Sequence, residues 1–186
     1  GGKQGQFEAA EFLVTPKTQQ VVTLGADYKL SKETSVTTDL ARSRYDVNTL
    51  SKIDKGNDVG NAIKTTLKNL HAFRQSSKGL ELGTSLSYEY VDARFQPLER
   101  LRPVEFLRDW GLPLQQPQAN ETFYNAAVRL SDKKKNDIRY ELAGYNRGAS
   151  FRGIRNTIGH TTDLSGWRFN DQLSWTTDRG DVNDGF

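Results

Sequence analysis

Seventeen residues, Arg94 to Trp110, hold the densest set of ligand-recognising groups in this chain. They include four arginines (Arg94, Arg100, Arg102, Arg108), three carboxylates (Glu99, Glu105, Asp109) and the aromatic residues Phe95, Phe106 and Trp110. A guanidinium can pair bidentately with a carboxylate or phosphate and stack on an aromatic ring, and an indole offers an apolar face with one N–H. The spacing predicts a binding site at Phe95, Arg100, Arg102, Arg108 and Trp110, with a partner chain or a glycan as the partner. A plainer reading is favoured for the charges. Glu99–Arg102 and Glu105–Arg108 sit three residues apart, as ordinary pairs on a segment folded over one end of a sheet would.

Other chemistry is sparse. Glu81, Glu89, Asp92, Asp39, Glu141 and Asp171 could supply a glycosidase pair, yet no spacing selects two of them. His71 and His160 are the only histidines and lack a zinc motif. The loop Asp54 to Asn61 is rich in oxygen ligands but lacks the calcium-loop register and its closing Glu, so it reads as a turn. Nucleophile-elbow, P-loop and dinucleotide signatures are absent, and there is no cysteine. The expectation is a protein that is not an enzyme, with no metal and no cofactor.

Twenty-six basic residues face 23 acidic ones, a net charge of +3. The one dense basic run, Lys133-Lys134-Lys135, falls in a turn rather than on a stripe, so nucleic acid is not an expected partner. Hydrophobic residues make up only 35% of the chain, low for a domain with two buried layers. The chain starts Gly1-Gly2 and has no methionine, so a single β-rich domain over 1–186, cut from a longer protein, is expected.

The elements that must carry these residues alternate with period two. Val22, Leu24, Ala26, Tyr28 and Leu30 share one parity. Ile63 to Phe73, Leu80 to Tyr90, Tyr124 to Leu130, Ile138 to Leu142 and Trp167 to Trp175 do the same, with Asp171 the polar interruption. A strand–turn–strand pattern at 25–46 recurs at 125–147, each copy closed by a short polar turn. Residues 46–61 and 144–161 read as longer loops, and 97–120, with four of the five prolines, as an irregular excursion. At most one short helix is expected, near 103–110, where Pro103 suits a first turn and Gly111 a stop.

The fold class is therefore all-β: an antiparallel meander of long hairpins, as an open sheet, a sandwich or a barrel. Strands of this length and alternation also suit an outer-membrane β-barrel. Against that stand Arg42 and Arg44, which follow Leu40 on the apolar parity, and a C-terminus at Phe186 without the usual aromatic alternation. The parity of Trp167, Phe169 and Trp175 fits a glycan-binding strip or core packing.

Tyr88-Glu89-Tyr90-Val91-Asp92, followed by Phe95 to Arg100, Val104-Glu105-Phe106 and Arg108 to Leu112, resembles stretches of large, uncharacterised β-rich cell-envelope proteins of Bacteroidetes-type bacteria. The loop Asn48 to Asp54 is similar as well. The likeness spans about residues 20–178, with 88–112 its specific part. It implies an envelope location, in the periplasm or at the outer membrane, and no activity or catalytic residues. The leading expectation is a structural or adhesion domain whose partner is the rest of its own parent chain or another envelope protein. A carbohydrate-binding or glycan-active domain and a section of an outer-membrane barrel are the rivals.

Overall fold

A computed structural model describes residues 14–53, 56–73, 79–132 and 136–180. Eight strands form one sheet in sequence order, every neighbour antiparallel: β1 (Thr18–Lys29), β2 (Thr34–Asp46), β3 (Val59–Ala72), β4 (Glu81–Val91), β5 (Glu121–Ser131), β6 (Asp137–Arg147), β7 (Phe151–Leu164) and β8 (Trp167–Gly180). The sheet is not closed, so β1 and β8 are its edges. All-β antiparallel architecture holds, including both copies of the strand–turn–strand pattern. They are the β1–β2 and β5–β6 hairpins, in register from Lys29–Ser35 and Ser131–Asp137 onwards. The run Lys133–Lys135 lies outside the described residues, as do Asp54, Lys55 and the C-terminus at Phe186.

One expectation is corrected. Residues 144–161 are not a loop: β6 continues to Arg147, a tight turn spans 148–150, and β7 follows at once. The glycines that suggested a loop are inside or beside strands for packing reasons. Gly153 lies under the Trp110 ring, where a Cβ would stand only 2.8 Å from ring carbons. Gly159 lies beneath the Arg139 guanidinium, which a Cβ would approach to 3.2 Å. Gly148, at φ +54°, is the one among them that makes the turn.

The connections divide by end. At one end the strands join through the short connections 30–33, 132–136 and 165–166 and through 73–80; at the other through 47–58, 92–120 and 148–150. These are called the short-turn end and the loop end below. Residues opposite one another share a face, so the pairing sorts every side chain. One face carries Ser43, Gly60, Val91, Glu121, Phe123, Tyr145 and Phe151. The segment 92–120 folds back over this face, with a single helical turn α1 (Phe106–Asp109) inside the span expected for it. The buried core is small and lies beneath that segment: Val91, Phe95, Trp110, Ala143, Tyr145 and Phe151. The accessible surface, 14,765 Å², exceeds by more than half the roughly 9,000 Å² of a compact globule of this mass.

Candidate functional site

Segment 92–120 is fastened to the sheet along its length. The Gln96 N–H donates to Ser43 Oγ at 2.9 Å, and Ala93 N–H donates to Asn120 Oδ1 at 2.8 Å, tying the segment's two ends together. Gly60 is needed where the Phe95 backbone crosses β3, since a Cβ there would stand 2.1 Å from Phe95 N. Trp110 is the keystone, 1% exposed. Its ring packs on Tyr145, Phe151 and Phe123 at centroid distances of 5.6, 6.3 and 6.4 Å, while Arg155 covers it at 4.6 Å.

The residues singled out from sequence separate here into three roles. Phe95 and Trp110 are buried, so they hold the segment down and are not open contact residues. Sequence types cannot distinguish an indole that binds a partner from one that anchors its own loop, and here intramolecular packing wins. Arg102 is also turned inwards. Its Nη1 meets Glu89 Oε1 at 2.6 Å, its Nη2 meets Glu121 Oε2 at 3.5 Å, and its guanidinium lies over Phe106. The Glu99–Arg102 pair expected from spacing is replaced by these two strand carboxylates. Arg108 remains exposed in the expected pair with Glu105, at 2.7 Å, and Arg100 is exposed. Arg147, which no local spacing singles out, joins the same network. Its guanidinium donates to the Pro117 carbonyl and lies 3.5 Å from Glu121 Oε1. Arg102 and Arg147 thus neutralise Glu89 and Glu121 between sheet and segment.

The opposite face is a different surface. Its cross-strand rows are apolar over most of the sheet: Tyr28–Val36–Leu67–Leu86–Ala126–Leu142–Asn156–Trp175 is one, and Leu24–Leu40–Ile63–Tyr90 begins another. None of the described residues covers it. Leu24 is 67% exposed, Tyr28 68%, Leu173 64% and Trp167 74%. Core packing therefore does not explain the shared parity of Trp167, Phe169 and Trp175. They belong to a belt that crosses all eight strands.

Some polar groups inside the belt are matched in pairs. Tyr140 O–H donates to Asn156 Oδ1 at 2.7 Å, Thr38 and Thr65 hydroxyls meet at 3.2 Å, and His160 Nδ1 stands 3.9 Å from Asp171 Oδ2. The Tyr124 ring lies flat against Gly144 across the β5–β6 pair, where any side chain would collide with it. Arg42 and Arg44, which weighed against a lipid-facing wall, stand past Leu40 at the loop end, beyond the belt's border. No helix among the described residues is long and apolar enough to cross a membrane, which says nothing about strands.

No protein-family model, curated protein or solved structure matches this chain.

Proposed function

We propose that this chain forms part of the wall of a membrane-spanning β-barrel, with the belt against lipid acyl chains and segment 92–120 inside the lumen. The observation that carries this reading is the belt itself. Each strand is 11 to 14 residues long, as a tilted membrane-crossing strand requires and about twice the globular average of 5–6. On the strands, the exposed large apolar residues are gathered on this one face, Leu70 apart. A soluble protein rarely leaves more than a few hundred Å² of continuous apolar surface open. The hydrogen bonds of Asn156 with Tyr140 and of Thr65 with Thr38 satisfy polar groups of this face within the sheet.

The other face has the chemistry of a water-filled lumen: Asp39, Lys64, Lys68, Arg129, Glu141, Arg139 and Gln172 alternate with the belt residues. Long connections on one end and short ones on the other are the usual asymmetry of bacterial barrels, with the long loops outside. An eight-stranded barrel is filled by its own side chains. Segment 92–120 would not fit within one, so the wall continues past β1 and β8. The envelope setting implied by the resemblance of residues 88–112 agrees with this placement. A glycan site is less well supported, because Phe95 and Trp110 are buried and the Trp167–Trp175 strip merges with aliphatic neighbours instead of standing in a polar rim.

The three tryptophans provide the test. Reconstituted in phosphatidylcholine vesicles, the chain is expected to show fluorescence quenched by bromine-labelled acyl chains. A W167F/W175F variant, leaving Trp110 behind the wall, should lose most of that quenching. A monodisperse protein without detergent, unquenched in vesicles, would sink the reading and favour a water-soluble sheet covered by a second copy.

A further inference from the structure

Among the described residues, the strands carry four fixed cations on the belt face, Arg42, Arg44, Arg152 and Arg179, and all four stand at the loop end. Arg42 lies opposite Val22 and Asn61, Arg44 opposite Val59, and Arg152 directly opposite Arg179. The described strand carboxylates of this face are Asp46 on β2 and Asp171, which is near the short-turn end. All four arginines are exposed. Among the described residues, the arginines with ion pairs, Arg102, Arg108, Arg129, Arg147, Arg155 and Arg168, are on the other face or in the segment above it.

Two like charges directly opposite in a sheet repel each other. The Arg152–Arg179 pair therefore weakens the β7–β8 ladder unless an anion lies between the two guanidiniums. Planar guanidinium forks match phosphate oxygens bidentately. The site lies at the edge of the apolar belt: on β7 Ile154 is the next residue of that face after Arg152, and on β8 Thr177 alone separates Trp175 from Arg179 on that face. In a bilayer that level holds headgroups.

We propose that Arg152 and Arg179, with Arg42 and Arg44 further along the same border, bind phosphate groups of an anionic lipid in the leaflet at the loop end. This rests on the membrane-wall reading above. The fringe would fix the height of the wall in the bilayer and select anionic over zwitterionic lipid. Its occupant is a lipid headgroup, not free phosphate, because the belt's acyl-facing side chains begin close by, at Ile154 next to Arg152 on that face and at Trp175 one position past Thr177 from Arg179.

The test compares partitioning, read by tryptophan fluorescence, into vesicles of phosphatidylcholine alone and of phosphatidylcholine mixed with phosphatidylglycerol. At low salt the mixed vesicles should bind roughly tenfold more tightly, and the preference should shrink towards unity in about 1 M salt. R152Q/R179Q should bind phosphatidylcholine vesicles as the parent does but lose most of the preference for mixed vesicles. R100Q/R108Q removes the same charge from exposed positions on the segment behind the wall and should keep that preference. Far-UV circular dichroism establishes that each variant is folded. Inorganic phosphate at millimolar concentration should not compete; full competition would overturn the lipid assignment. Equal binding of the parent to both vesicle types, or equal loss in the two double variants, would overturn the proposal while leaving the membrane wall standing. Failure to bind either vesicle would overturn both.

Discussion

Trp110 and Arg102 illustrate how residue type and residue role separate. An aromatic-and-arginine cluster has the composition of an interface hot spot, and residue types alone place a partner there. The structure supplies the partner from the same chain: Tyr145, Phe123 and Phe151 for the ring, Glu89 and Glu121 for the guanidinium. Local spacing could pair Glu105 with Arg108, three residues apart on one turn. It could not pair Arg102 with Glu89 and Glu121, because that contact depends on the segment folding back over β4 and β5. Replacing Trp110 by Ala should lower stability by about 3–5 kcal/mol and expose segment 92–120 to protease. Equilibrium unfolding and limited proteolysis would check this. Unchanged unfolding together with resistance to cleavage would show that the segment is held by its ion pairs instead.

At the scale of elements, alternation located most strands because each has one apolar and one polar face. It failed at β7. Gly153 and Gly159 there make room for Trp110 and Arg139, and a glycine that accommodates a neighbour looks in sequence like one that makes a turn. The β7–β8 turn is a genuine case. Ser165 and Gly166 both have positive φ, 49° and 88°, the geometry of the two-residue hairpin turn whose twist matches that of the strands. Ser165→Asn should stabilise the hairpin by a few tenths of a kcal/mol, and Gly166→Ala should cost about 1 kcal/mol. Chemical denaturation of the two variants should move in opposite directions. A shared direction would mean that the turn is set by its strands rather than by its own residues.

For the molecule as a whole, the sequence conveyed alternation without saying which face would be covered. Low hydrophobic content argued against two buried layers, and one layer is what formed, but parity alone left the aromatic strip of β8 assigned to core or to glycan. Only the register across all eight strands unites it with Leu24, Leu86 and Tyr28. If that united face meets lipid, Leu86→Arg in its centre should destabilise the vesicle-inserted protein by about 2–4 kcal/mol. Ser87→Arg, one residue along and on the opposite face, should change it by less than about 0.5 kcal/mol. Unfolding in vesicles by guanidinium chloride would measure both. Equal effects would remove the distinction between the two faces.

The long apolar row has a further geometric consequence. It begins at Tyr28, the last belt residue of β1 towards the short-turn end, and finishes at Trp175, the last belt residue of β8 towards the loop end. The hydrogen-bonded rows therefore wind across the belt like the thread of a screw. In a closed ring, the strand that completes the circuit meets β1 displaced along its length, not level with it. That offset and the number of strands together fix a barrel's girth. If these eight strands belong to such a barrel, they already set its pitch, and each further strand would widen it at the same slope.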